Sequence, residues 1–265
     1  MAVASSPQVL GVLAHDLRWT IVGLLVPGDL RTSELVARTG QAPSLVSYHL
    51  ARLRDAGLVS ARRSAADGRD SYHALDLDAL GQAVAGAAAR IHPGLLAGRS
   101  GPAGAAGPAG PAGPPGPLGT AARLRRTGQV LFICSGNSAR SPMAEGWLNH
   151  LGGGQVTARS AGVTPGALHP LAVAAMAEHG VDISGHRATR LDAFAGHTFT
   201  RVITLCDRAR ESCGELPAAG QTVHWSIPNP VQAHPPDLDA FRATARELRT
   251  RIRYLLAAAV RELPS

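Results

Sequence analysis

The spacing of apolar positions divides the chain into helical and extended stretches. QVLGVLAHDLRWTIVGLLV, residues 8–26, keeps a mostly apolar face and predicts helices. Thr32 is the expected cap of the next helix, SELVART, with Glu34 in its first turn and Gly40 at its end. The turn Gln41-Ala42-Pro43 leads into SLVSYHLARLRDAG. There Val46, Leu50 and Leu53 fall at i, i+4 and i+7 and predict a buried stripe. Ser44, Tyr48 and Arg52 point the other way with Ser47 beside them, and His49 lies nearer the buried side. LVSARRSAADGRDSYHAL predicts two strands joined by a turn at Asp67-Gly68, and Asp76 and Asp78 start a helix over DALGQAVAGAAARI. Much later, QVLFI (129–133) is a strand-like run that ends at Cys134. Small polar residues, SGNSARS, follow it, and Pro142 then sits in the first turn of a helix. A last helix is expected from Asp237 to Glu262, with Phe241, Ala245, Leu248, Ile252, Leu255 and Ala259 facing a sheet. Its arginines Arg242, Arg246, Arg249 and Arg253 form a solvated stripe.

Between these regions lies GPAGAAGPAGPAGPPGPLG, Gly101 to Gly119, six Gly-X-Y triplets that build no core. The run is either a short collagen-like segment or an extended spacer, and the spacer is the simpler reading. The expected organisation is therefore a domain at 1–97, a Gly/Pro-rich linker at 98–126 and a second domain at 127–265. With 45% hydrophobic and 17% charged residues, a buried core is available and wholesale disorder is excluded. The net charge of +7 is spread along the chain and argues only weakly for nucleic acid. No apolar run approaches the ~18 residues of a membrane span. The start, MAVASSPQVLGVLAHD, lacks a basic secretory n-region. The 3 cysteines, all after residue 133, fit thiol chemistry in a reducing, cytoplasmic setting better than a disulfide framework.

Helix, turn, helix and hairpin make a mainly α winged helix-turn-helix, whose second helix enters the major groove. APSLVSYHLARLRDAGLVSARR resembles the recognition helix and wing of the ArsR-type winged helix repressors, over about residues 8–80. The resemblance implies a homodimer formed through this domain on a double-stranded operator. It implies DNA contact by Ser44, Ser47, Tyr48 and Arg52, and phosphate contact by Arg62, Arg63 and Arg69. The family's thiol sensor sites have no counterpart, because residues 1–133 contain no cysteine. Asp76, Asp78 and His92 lack metal-ligand spacing, so no metal site is expected.

In the second domain, Cys134-x5-Arg140 sits between a strand and a helix. Loop N–H groups from Ser135, Gly136, Asn137, Ser138 and Ala139 at a helix N-terminus form a nest for a tetrahedral oxyanion. Arg140 offers a planar fork to two of its oxygens. The same field favours a thiolate at Cys134. Ser141 can donate to that sulfur, and the Asn137 amide can hold the loop. FICSGNSARSPMAEGW, VITLCDRARESCGELP and HWSIPNP together resemble the low-molecular-weight tyrosine phosphatase family, and more narrowly its thioredoxin-coupled arsenate reductases. The resemblance covers nearly all of 128–262. It implies an α/β domain with a parallel sheet, and an arsenate or phosphate-like oxyanion as substrate. It also implies no bound cofactor, a thioredoxin-type reductant as co-substrate, and a relay from Cys134 to Cys206 to Cys213. Asn229 occupies the position where the family has an Asp general acid before proline, and Ala139 stands where many of these reductases have a further cysteine. Three functions stay open: an arsenate reductase fused to a regulator, a regulator whose second domain only senses an oxyanion or arsenite, and a tyrosine phosphatase.

Overall fold

The structure is a computed structural model and describes residues 6–92, 128–212, 216–232 and 237–262. The spacer lies outside the described residues, as does Cys213. Two separate hydrophobic cores, one on each side of the spacer, define the two domains.

The first domain runs α1 (Ser6–Leu13), α2 (Asp16–Leu25), β1 (Leu30–Arg31), α3 (Thr32–Thr39), α4 (Pro43–Asp55), β2 (Val59–Arg63), β3 (Ser71–Leu75) and α5 (Leu77–Ile91). Val46, Leu50 and Leu53 of α4 are buried as their spacing requires, against Ile21, Leu25 and Leu35. Each such side chain contributes roughly 1.5–3 kcal/mol by leaving water. His49 is buried with them, 3.4 Å from Arg18 Nη1. Gly40 closes α3 in the left-handed region at φ 66°, which only glycine enters without strain. The cap of α3 differs from expectation. Arg31 is the N-cap, its N–H donating to the Glu34 carboxylate at 2.8 Å, while the Thr32 hydroxyl lies 2.9 Å from His73 Nε2. The reason is β1: Leu30 and Arg31 pair antiparallel with His73 and Tyr72, so the extended backbone runs up to Arg31. The sheet order is β1-β3-β2, with β2 and β3 forming the wing.

The second domain runs β4 (Gly128–Cys134), α6 (Arg140–Leu151), β5 (Val156–Gly162), α7 (Pro170–Ala177), β6 (Thr198–Thr204), α8 (Asp207–Ser212), β7 (Ala218–His224) and α9 (Leu238–Glu262). The four strands are parallel in the order β5-β4-β6-β7. Central strand β4 is buried from Val130 to Cys134, as a strand covered on both faces must be. Helix α9 buries Phe241, Ala245, Leu248 and Ile252 completely and packs on α6 and α7. The carboxyl ends of β4 and β6 thus face one edge of the sheet, where α6 and α8 begin. Ligands of open parallel sheets bind at such an edge.

Candidate functional site

The loop between β4 and α6 is shaped from both sides. Val163, Thr164, Gly166 and His169 donate their backbone N–H groups to the carbonyls of Cys134, Ser135, Gly136 and Ser138, at 2.8–3.3 Å. With its carbonyls held on that side, a loop of this kind presents its own N–H groups inward as a nest. Asn137 is the pivot. Its φ of 45° lies in the left-handed region, which Asn tolerates better than most residues. Its side-chain N–H₂ donates to Ser141 Oγ at 3.0 Å and Ser160 Oγ at 2.8 Å. Its Oδ1 accepts from the Thr189 N–H at 2.8 Å and lies 3.2 Å from His186 Nε2. The chain of contacts continues outward: Ser160 Oγ donates to Glu145 at 2.6 Å, and Glu145 lies 3.6 Å from His186 Nδ1. Burial pushes the His186 pKa below the ordinary histidine value, against the pull of Glu145. Gly162 completes the support, since a Cβ there would lie 2.8 Å from the Asn137 nitrogen.

Cys134 is buried, with Sγ 2.9 Å from the Ser141 hydroxyl. Arg140 is also buried, at 7% exposure, and donates from Nη1 to the carbonyls of Ile227 (3.0 Å) and Leu205 (3.5 Å). Those carbonyls come from the segment after β7 and the end of β6, so one guanidinium ties together all three sequence blocks. A pocket of about 450 Å³ opens above the loop. It is lined by Cys134, Ser135, Gly136, Ser138, Ala139, Arg140 and, from across the opening, Arg208 and Asn229. Cys206 is buried and free; its sulfur accepts the Ala209 N–H at 3.3 Å and lies 3.6 Å from Ser135 Oγ. The structure therefore brings Cys134, Arg140, Cys206 and Asn229 to one place, although up to 95 positions separate them along the chain. A buried thiol beside a cationic, N–H-lined pocket can attack a bound tetrahedral oxyanion.

Some members of the site have weak sequence signals. Arg208, second after Cys206 in VITLCDRARE, adds a cation to the pocket. Ser160, Glu145 and His186 come from three different elements, and only the fold joins them to Asn137.

On the first domain, Ser44, Ser47, Tyr48 and Arg52 of α4 are all exposed, Tyr48 at 57%. Arg63 and Arg69 are exposed as well. Arg62, expected on DNA phosphate, is engaged elsewhere. Its Nη2 donates to both Asp207 carboxylate oxygens at 3.0 and 3.1 Å, and its Nε donates to the Ser226 carbonyl at 3.2 Å. Asp207 is fully buried and carries a depressed pKa. Burial alone would raise it, but bonds from His224, the Ala65 N–H and Ser226, with the Arg62 charge, hold it far below the carboxylate range. A second contact between the domains joins Asp29, 1% exposed, to Arg251 at 2.8 Å and to the Ser226 N–H at 2.6 Å. Nearby, the Trp225 indole donates to the Pro27 carbonyl at 3.1 Å.

Residues 15–61 match the family described as bacterial regulatory protein, arsR family. An arsenate reductase of Staphylococcus epidermidis is 39% identical over 102 residues, which is 38% of this chain and 78% of that protein. An arsenate reductase of Halalkalibacterium halodurans is 35% identical over 127 residues, 47% of this chain and 91% of that one. A solved arsenate reductase in the reduced state is 32% identical, covers 50% of this chain and 99% of its own, and superposes with a TM-score of 0.43. Residues 129–264, which carry the loop, both described thiols and the pocket, match the model for low molecular weight phosphotyrosine protein phosphatase. By that match the chain, with its arsR family segment in front, belongs to the low molecular weight phosphotyrosine protein phosphatase family.

Proposed function

We propose that the second domain reduces arsenate to arsenite and that the first binds double-stranded operator DNA, in a cytoplasmic homodimer joined through the winged domain. The observation that carries the reductase reading is the second thiol: Cys206 Sγ lies 3.6 Å from Ser135 Oγ, in the loop that begins at Cys134. Ester hydrolysis needs one nucleophilic thiol, whereas reducing arsenic from As(V) to As(III) takes two electrons. The relatives named arsenate reductase support the same choice.

The N–H groups of Ser135 to Ala139 and the Arg140 guanidinium hold the oxyanion, with Arg208 adding charge at the rim. The Cys134 thiolate, with Ser141 beside it, bonds to arsenic and displaces one oxygen, which leaves as water after protonation. The Cys206 thiolate then attacks Cys134 Sγ. The electron pair of the S–As bond passes to arsenic, arsenite departs, and a Cys134–Cys206 disulfide remains. Cys213 attacks Cys206 and frees Cys134, and a thioredoxin-type dithiol reduces the Cys206–Cys213 disulfide. No cofactor or metal is needed in this scheme. A second reading, a sensor that binds arsenic oxyanions without turnover, draws on Asn229. This residue lines the pocket where the family's pattern has an acid, and an amide donates no proton as an acid. Arsenite release by the full-length chain with arsenate, thioredoxin, thioredoxin reductase and NADPH separates the readings. Sustained release supports the reductase, and tight arsenate or arsenite binding without release supports the sensor.

A further inference from the structure

We infer that the wing of the first domain has two competing partners, duplex DNA and the face of the second domain formed by α8 and the segment after β7. In the structure the wing is latched to that face, and DNA must displace it. The inference rests on the proposed DNA-binding role of the wing.

The wing tip meets the second domain through polar groups on α8. Asp207 Oδ2 receives the Ala65 N–H at 2.7 Å and Arg62 Nη2 at 3.0 Å, both from the wing. The Asp207 side chain is 0% exposed. His224 and the Ser226 hydroxyl serve Oδ1, so the wing completes the set of partners at Oδ2 and the latch is a defined hydrogen-bonded contact. One helical turn further along α8, Glu211 Oε1 accepts from the Ser64 hydroxyl at 3.0 Å and the Tyr72 hydroxyl at 2.9 Å. Arg210 of the same helix pairs with Glu34 in the first domain.

Arg62 is the shared group. The Nη2 and Nε donors of Arg62 are taken by Asp207 and Ser226, which turns that edge of the guanidinium toward the second domain, so a bidentate phosphate contact through the same edge competes with the latch. The recognition surface of α4 does not share this fate, since Ser44, Ser47, Tyr48 and Arg52 all remain exposed. The docked chain therefore offers DNA its helix while Arg62 and the adjoining Ser64 and Ala65 at the wing tip face the second domain. Binding that needs the free wing is weakened by the fraction of chains in the free state. By linkage, DNA weakens the latch by the same factor. The latch also reaches the reductase site: Asp207 follows Cys206 directly in the chain, and Arg62 Nε holds the carbonyl of Ser226, next to Ile227, whose carbonyl holds Arg140.

The test uses the full-length reduced chain and a fluorescein-labelled 30-base-pair duplex of random sequence, titrated by anisotropy at several salt concentrations. Asp207→Asn removes the charge that holds Arg62, and Glu211→Gln loosens the same face at an independent point. Each variant is expected to bind the duplex roughly 3–10-fold more tightly, and the salt slope of Asp207→Asn is expected to steepen by about 0.9, one added phosphate contact. Adding Arg62→Ala to either variant is expected to abolish the gain. A gain that survives Arg62→Ala reports the lost negative charge alone and overturns the proposal. Unchanged affinity in both single variants overturns it as well. Absence of binding by every form, wild type included, removes the DNA-binding reading and the proposal with it. Should Asp207→Asn fail to fold, Glu211→Gln with and without Arg62→Ala gives the same decision.

Discussion

Gly162→Ala tests how tightly the oxyanion loop depends on the strand beside it. Gly162 ends β5 and its own φ is outside the left-handed region, so alanine is allowed by the backbone there. The added methyl, however, would lie 2.8 Å from the Asn137 nitrogen, 2.9 Å from Asn137 Cβ and 3.0 Å from the Gly136 carbonyl carbon. Two of these are backbone atoms and none is the far end of a flexible side chain. Either the loop or β5 must move. β5 is paired to β4 along its whole length, so the loop yields. Overpacking of this kind costs about 1–3 kcal/mol. If the loop regains its binding shape only by bearing that strain, oxyanion affinity falls by about 5–150-fold. Gly166→Ala is the control, because nothing lies within 4 Å of a Cβ there. Its N–H would still bond the Gly136 carbonyl. The assay is calorimetric titration of each purified, reduced protein with inorganic phosphate, an oxyanion that does not react with thiols. The reasoning is refuted if Gly162→Ala is folded and binds phosphate within twofold of wild type, or if Gly166→Ala loses as much.

The other predictions concern the thiols, the acid position, the DNA face and pH. Cys134→Ser abolishes arsenate reduction, while Cys213→Ser gives about one turnover and stops; equal loss of the first turnover in both contradicts the order of attack. Asn229→Asp raises kcat/KM for an aryl phosphate more than for arsenate, because the ester leaving group needs a proton donor, an effect of ~10²–10⁴ at full strength. Equal gains in both reactions would sink that argument, and no gain in either would move the acid position elsewhere. Arg52→Ala weakens duplex binding in a sequence-dependent way, whereas Arg63→Ala weakens it uniformly and flattens the salt slope by about 0.9; an unchanged affinity in both removes these assignments. Burial lowers the His73 pKa from 6.5 to about 4, with Arg54 adding to the effect and Asp29 opposing it. The unfolded chain then binds the extra proton, so stability falls as pH drops from about 6.5 to about 4, by up to about 3 kcal/mol. Thermal melts of wild type and His73→Gln between pH 7 and 4 check this, and an equally steep fall in the variant would show that another group is responsible.

The parts of the fold that were legible in the sequence are those fixed by near neighbours. The strand into Cys134, the loop and the helix opened by Pro142 are consecutive, and their chemistry is written in residue types. The recognition helix was readable for the same reason: its buried stripe is stronger than any competing pattern. Strands β5 and β7 carried no clear signal. They are the edges of the sheet, with mixed exposure and sequences, VTARSAG and AAGQTVH, rich in small and polar residues. β1 is two residues long and exists through pairing with β3, which displaced the cap of α3 from Thr32 to Arg31. Arg62 shows the limit most clearly. A wing arginine fits phosphate on local grounds, and its carboxylate partner lies 145 residues away in the chain. No periodicity encodes a contact of that span. It depends on how the two folded domains present their polar groups to each other, and Asp207, embedded in LCDRARE, reads as an ordinary helix-starting residue.

The central claim is that two thiols of one chain deliver two electrons to arsenate. It is tested most directly by a single turnover without any external reductant. The fully reduced full-length protein is mixed with excess arsenate, arsenite is counted by chromatography with arsenic detection, and free thiols are counted in parallel. The account predicts about one arsenite per chain, the loss of two thiols, and a disulfide that includes Cys206 in the peptide map. Cys206→Ser should release none while still binding phosphate. Retention of all three thiols with no arsenite formed, from protein that binds phosphate normally, would contradict the reductase assignment.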